Sequence, residues 1–238
     1  GEKTIAAVEF HCIKLKGTLV RSRRALRGWR KVVPAQSRLP LPKPVAFGMA
    51  MQMVCLGHRE MALATLISFD AYLRPGECSD LLAKNVVPPV KRAGPQYQYY
   101  TLVVRDIEDG KPDKVGVFDN SIPLNHPQHQ WLGEFLHQLA RTRSVQSQKL
   151  FSFKMEEFKK IFTQIGAKMG LDTVHPYQLR HGGASEDLCA GTRDHNTVKS
   201  RGRWKTDQSV RRYAKVGRVQ QLLAKLSPDH QEYCLWAV

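Results

Sequence analysis

A single β-rich stretch, residues 86–123, interrupts a chain whose remaining periodicity is helical. That distribution restricts the fold more than any other feature. Within the stretch, residues 86–90, 98–106 and 115–123 alternate or cluster β-branched and aromatic side chains, with turn signals at 93–95 and 109–112. Three short strands so spaced make one small antiparallel sheet. Before it, apolar residues at helical spacing predict helices over 45–56 and 59–71, split at Gly57, and a short one from Glu77 after the Pro75–Gly76 break. After it, helices are expected near 128–142, 154–169, 177–189, 194–201, 207–214 and 217–226, the last ended by Ser227 and Pro228. The expected class is α+β and mainly α-helical, with no internal repeat.

The N-terminal segment reads differently. Over residues 4–32, Val8, Cys12, Leu15 and Leu19 recur at helical spacing, and then Arg23, Arg24, Arg27, Arg30 and Lys31 surround Leu26 and Trp29. Such a helix either lies against phosphates or shows a solvated face beside a buried Trp29. Pro34 ends it, and a Pro-rich stretch follows. The organisation expected is a helical segment over 1–34, a linker over 35–43 and one large unit over 44–238.

Charge and cysteine usage narrow the partners. The formal net charge is +16, from 37 basic against 21 acidic residues, which favours a polyanion and first of all nucleic acid. A hydrophobic share of 42% argues for a packed domain rather than a basic tail. The five cysteines form no CxxC pair, which suggests reduced thiols in an intracellular compartment, neither a disulfide framework nor a zinc site. No apolar run reaches the ~18 residues of a spanning helix, and the first residues lack a secretory layout. The chain is therefore expected inside the cell, in the nucleus or nucleoid with DNA.

The stretch from His175 to Tyr213 carries the chemistry. It opens HPYQLRHGGAS and closes RGRWKTDQSVRRYAK, with Trp204 nine positions before Tyr213. A tyrosine among Arg211, Arg212 and Lys215 is a candidate nucleophile. Cleaving and rejoining a phosphodiester without metal or ATP needs few parts. Two guanidinium forks clamp the negative charge that develops on phosphorus. A phenol forms a covalent intermediate that conserves the bond energy. An acid protonates the leaving oxygen, and an indole or imidazole N–H holds a non-bridging oxygen. Earlier in the chain, YLRPGE places Arg74 at a helix break, and EDGKPDKVGVFD places Lys111 and Lys114 near a hairpin tip.

In that order, the motifs resemble the catalytic domain of the tyrosine recombinases, or phage-type integrases, over about residues 44 to 215. LRPGE looks like the family's first arginine motif, with Glu77 as its acidic residue. KVGVFD is similar to the hairpin lysine segment, with Lys114 in the lysine role and Lys111 as the alternate register. PYQLRH resembles the second box, which makes Arg180 the second arginine. GRWKTDQSVRRY is similar to the last motif, with Trp204 where the family has His or Trp, and Tyr213 as nucleophile. The style is nearer to recombinase-like domains of eukaryotic mobile elements than to bacterial Xer proteins. One position departs: three before Arg180, where the family has His or Lys, stands Tyr177, whose phenol is a poor base at neutral pH. His181, one turn later, either substitutes for it or is a buried, hydrogen-bonded histidine.

The resemblance implies strand exchange on double-stranded DNA through a 3′-phosphotyrosyl link, with no metal and no other cofactor. Arg203, Lys205, Arg211 and Arg212 join Arg23, Arg24, Arg27, Arg30 and Lys111 as expected DNA contacts. The segment over 1–34 is expected to be the remnant of an N-terminal core-binding domain, so that binding is weak and strongly salt-dependent. The tail helix over 216–226 either docks on a neighbouring protomer of a DNA-bound tetramer or packs on its own domain. Two other readings stay open: a repurposed domain that binds DNA without cutting it, and relaxation of supercoils by the related type IB topoisomerase chemistry.

Overall fold

The computed structural model describes residues 1–33, 39–104, 120–171, 173–211, 213 and 216–238. The chain divides into two compact units, Gly1–Arg38 and Leu39–Val238. In the first, α1 (Glu2–His11) and α2 (Val20–Val32) replace the one long helical run expected over 4–32. The reason is local. Gly17 adopts φ 82°, a left-handed turn that a continuous helix cannot contain. Arg23 pairs with Glu9 at 2.5 Å, and Arg30 pairs with Glu2, so α2 is tied to α1 by charge. Neither helix buries a residue, and Trp29 is 66% exposed. The alternative of a buried Trp29 is thereby corrected.

The second unit begins earlier than residue 44. Leu41 is fully buried, its N–H donates to the Gln178 carbonyl at 3.3 Å, and Gln178 Nε2 donates to the Leu39 carbonyl at 2.9 Å. Residues 39–43 thus lie on the core instead of extending as a linker. Apolar side chains of the PLP run drive this, because their burial outweighs the flexibility suggested by the prolines.

Helices α3 (Lys43–Cys55) and α4 (Arg59–Asp70) form a hairpin around Gly57 at φ 83°. The short α5 (Pro75–Asp80) starts two residues before the expected Glu77, because Pro75 takes the first helical position and the Glu77 carboxylate accepts the Arg74 N–H at 2.7 Å. Then come β1 (Val86–Val87), β2 (Thr101–Val104) and β3 (Asn120–Pro123), antiparallel in the order β1-β2-β3. Leu102 lies opposite both Val86 and Ile122, and all three are buried. The first strand ends at Val87, not at 90, because Pro88 and Pro89 carry no N–H for the ladder.

The remaining helices are α6 (Trp131–Arg141), α7 (Met155–Lys168), α8 (Tyr177–Ala190), α9 (His195–Arg201), α10 (Asp207–Arg211), α11 (Val216–Leu223) and α12 (Pro228–Trp236). The last was not expected. Ser227 and Pro228, read as a stop, instead start a helix: the Ser227 side chain caps the His230 N–H and Pro228 occupies the first turn. Leu222, Leu226 and Cys234 are buried in the unit's own core, so the tail packs on its own domain. Of the described residues, 63% are helical. No helix among the described residues is long and apolar enough to cross a membrane.

Helix α8 is the axis on which the site is built. A Cβ at Gly182 would lie 2.0 Å from the Leu41 carbonyl oxygen, and one at Gly183 would lie 1.9 Å from that of Phe69. The glycine pair therefore lets α8 approach α4 and the 39–42 segment at backbone contact. That contact brings the end of α4, where Arg74 follows, to the face of α8 that carries Arg180.

Candidate active site

Glu77 is the hub. Its buried carboxylate accepts Arg74 Nη1 at 2.5 Å through Oε1, and Arg203 Nη2 at 2.6 Å through Oε2. Arg180 Nη1 lies 4.0 Å from Oε2. Three guanidinium groups thus surround one carboxylate, a surplus of positive charge suited to an anion. Arg180 itself is 1% exposed. Its Nη1 donates to the Tyr72 carbonyl and its Nη2 to the Gly202 carbonyl. Among the described residues, Nε has no partner. Burial and the neighbouring Arg203 lower the Arg180 pKa to about 10, which leaves it charged at neutral pH.

The aromatic groups follow from there. The Arg180 guanidinium carbon lies 4.6 Å from the Trp204 ring centre, a cation–π distance. Trp204 meets Tyr213 at 4.8 Å with the planes tilted by 38°, Tyr213 meets His181 at 4.9 Å, and His181 meets Tyr177 edge-on at 5.0 Å. One unbroken set of ring contacts therefore runs from Tyr177 to Arg180 by way of Tyr213. The local turns enforce it. A Cβ at Gly202 would lie 1.8 Å from the Trp204 ring, so only glycine lets the indole fold back over the end of α9. Tyr213 is anchored by its backbone, its N–H to the Val210 carbonyl at 2.9 Å and its carbonyl to the Ser185 hydroxyl.

Arg74, Glu77, Tyr177, Arg180, His181, Trp204 and Tyr213 are thus brought together. Lys111, Lys114 and Arg212 lie outside the described residues. Lys205 and Arg211 are exposed, as are Arg23, Arg24, Arg27 and Arg30 in the first unit, although Arg23 and Arg30 are engaged by α1 glutamates. Arg203 is corrected. Its side chain is 5% exposed and points inward to Glu77, not outward to DNA, because the backbone turns left-handed at φ 55° there. His181 is half-buried and against the Tyr213 ring, which the reading of it as a buried core histidine did not anticipate.

Sequence reasoning missed the support beneath the site. Tyr72, buried at φ 49°, aims its carbonyl at Arg180 and Arg203 while its hydroxyl donates to Asp187. Asp187 also pairs with Arg193. Arg201 donates from Nε to the Asp70 carbonyl at 3.0 Å, from Nη2 to Asp70 Oδ2 at 2.8 Å and from Nη1 to the Pro123 carbonyl at 2.7 Å, so it ties α9 to α4 and β3. No spacing signal in the sequence marks these groups, although Tyr72 opens YLRPGE and Arg201 opens RGRWKTDQSVRRYAK.

A second buried cluster joins Asp70, His126 and His129, whose potential ligand atoms lie within 4.8 Å of one another. The two imidazole rings stack at 4.0 Å with planes 11° apart, and His126 Nδ1 accepts the Gln128 N–H at 3.2 Å. Lone pairs lie in the ring planes, so two parallel stacked rings cannot both direct them at one ion. The arrangement is two stacked histidines, each beside an aspartate: His129 with Asp70 at 3.5 Å and His126 with Asp187 at 3.9 Å.

No family profile matches the chain, and no curated protein matches it. Among solved structures, the crystal structure of XerA recombinase is similar with a TM-score of 0.54 at 14% sequence identity, covering 82% of this chain and 68% of that one.

Proposed function

We propose that this chain, which has the fold of a tyrosine recombinase catalytic domain, cleaves and rejoins DNA through a phosphotyrosyl intermediate. The observation that carries the reading is the convergence of Arg74, Arg180, Trp204 and Tyr213, from well-separated positions in the chain, on one positively charged site.

Tyr213 attacks the scissile phosphorus, and its oxygen becomes bonded to the 3′ phosphate as the bond to the 5′ oxygen breaks. Arg74 and Arg180 hold the non-bridging oxygens, whose charge concentrates as five bonds form around phosphorus. The Trp204 indole adds an N–H donor and keeps water from the arginine beneath it. Lys114, or Lys111 in the alternate register, protonates the departing 5′ oxygen. Tyr177 offers a phenol, whereas His181, in ring contact with Tyr213, offers an imidazole nitrogen that can accept a proton. His181 accordingly takes the Tyr213 proton. Rejoining reverses each step. Exposed cations, Lys205 and Arg211 in the second unit and separately Arg24 and Arg27 in the first, hold the duplex through phosphate contacts that weaken with salt.

One observation favours a second reading, DNA binding without cleavage. Both Nη groups of Arg180 donate to backbone carbonyls and the guanidinium lies under Trp204. Nicked suicide duplexes separate the two: a denaturant-resistant protein–DNA adduct supports cleavage, and a gel shift without any adduct supports binding alone.

A further inference from the structure

Two non-glycine residues occupy the left-handed region among the described residues, Tyr72 at φ 49° and Arg203 at φ 55°. They are bonded to each other: Arg203 Nη2 donates to the Tyr72 carbonyl at 3.2 Å. An aromatic and a long basic side chain are poor occupants of a conformation that glycine adopts freely. Strain of this kind survives where the surroundings over-determine it, and it gathers at functional sites. Here both strained residues flank the buried Arg180, whose Nη1 shares the same Tyr72 carbonyl.

The side chain of Arg203 shows what the strain secures. Its Nη2 reaches Glu77 Oε2 at 2.6 Å, and its Nη1 reaches the Arg201 carbonyl at 3.0 Å. A fork so placed fixes the carboxylate that Arg74 uses and the carbonyl that Arg180 uses. Folding alone gives little reason for it, because Arg203 crowds a third positive charge beside Arg74 and Arg180 around one carboxylate. A phosphoryl group resolves that crowding. When Arg74 turns from Glu77 to a phosphate oxygen, the carboxylate must not be left buried without a partner, and Arg203 remains on it.

We propose that Arg203 is a positioning residue: it clamps Glu77 and the Tyr72 carbonyl so that Arg74 and Arg180 meet the scissile phosphate in fixed geometry. The proposal rests on the reading of the site as a phosphoryl-transfer centre. It assigns Arg203 no contact with DNA, in keeping with its inward direction.

The test is single-turnover adduct formation on nicked suicide duplexes of mixed sequence, followed over a range of DNA concentrations. R203G accepts the backbone conformation and lacks the guanidinium, while R203K keeps the charge on a single nitrogen, which cannot take both the place of Nη2 on Glu77 and the Tyr72 carbonyl and the place of Nη1 on the Arg201 carbonyl. The expected result is a maximal rate about a hundredfold lower in R203G, the scale of a displaced catalytic group. Half-saturating DNA should stay within about twofold of wild type, and R203K should recover only part of the rate. If R203G does not fold, R203K alone must show the lower maximal rate. An unchanged maximal rate, whether or not half-saturation rises, overturns the proposal. If wild type forms no adduct, the enzymatic reading fails, and Arg203 is judged separately by urea unfolding of R203G, E77Q and the double variant. Coupling of roughly fivefold or more in the unfolding constant retains the Arg203–Glu77 unit, and additive effects reject it.

Discussion

The guanidinium carbon of Arg180 lies 4.6 Å from the centre of the Trp204 ring, and the same indole meets the Tyr213 ring at 4.8 Å. One side chain thus joins the second arginine to the proposed nucleophile. It also belongs to a small buried cluster with Tyr72, Val198 and Val210.

Trp204→Ala removes this bridge. Loss of a half-buried indole is expected to destabilise the unit by about 2 kcal/mol, and adduct formation should fall further than stability accounts for. Trp204→His keeps an N–H donor and should lose less activity than the alanine variant, although its packing is also reduced. Urea midpoints beside adduct rates check both; equal rates for the two variants would show that the N–H has no role.

Gly183→Ala tests how the scaffold sets the site. The added methyl would sit 1.9 Å from the Phe69 carbonyl oxygen, a backbone atom that cannot turn aside, so α8 must shift from α4. A cost of about 2–3 kcal/mol is expected, with the adduct rate falling because Arg180 moves with α8. An unchanged urea midpoint would mean that the two helices are not in backbone contact.

Acid should weaken the fold in two steps. Burial and the neighbouring His129 push the His126 pKa down to about 4, below the usual value near 6.5. Between those values the unfolded chain binds a proton that the folded chain refuses, so stability is fully present above about 6.5 and declines as pH falls toward 4. Burial alone would raise the Asp70 pKa, but Arg201 and His129 outweigh it and hold the group at about 2. That contribution is present above the unfolded carboxylate value and is lost as pH falls toward 2. Urea midpoints from pH 8 to pH 3 check the first step, and His126→Gln should flatten it.

The proton route is tested by the Tyr177–His181 pair, whose rings meet edge-on at 5.0 Å. Tyr177→His supplies an imidazole three positions before Arg180 and is expected to raise adduct yield at neutral pH. His181→Ala should lower it and flatten its pH dependence. A His181→Ala protein with the wild-type pH profile would place the base elsewhere.

How much of this was legible in the sequence differs by element. The helices are long and periodic, and most were located within a few residues. The small antiparallel sheet followed from three short β-branched runs, but its strand order did not. The residues proposed for the site sit in short motifs at fixed spacings, which is why the sequence could nominate them. Failures share one physical origin, that local composition does not report tertiary contact. Residues 40–42 look like a linker yet are buried, with the preceding Leu39 carbonyl held by Gln178 of α8. Ser227 and Pro228 look like a stop, but the same two residues are a good helix start once Cys234 has a site at Gly48 to fill. Arg203 reads as a surface cation because no sequence rule announces a left-handed arginine.

The most direct measurement is denaturant-resistant adduct formation by wild-type protein and Tyr213→Phe on the same nicked duplexes. The phenylalanine keeps the ring that packs against Trp204 and His181 and lacks only the oxygen. The account predicts a covalent adduct with wild type and none with Tyr213→Phe, while both shift DNA equally in a gel. An adduct that survives in Tyr213→Phe, or its absence from wild type on every nicked substrate, would contradict it.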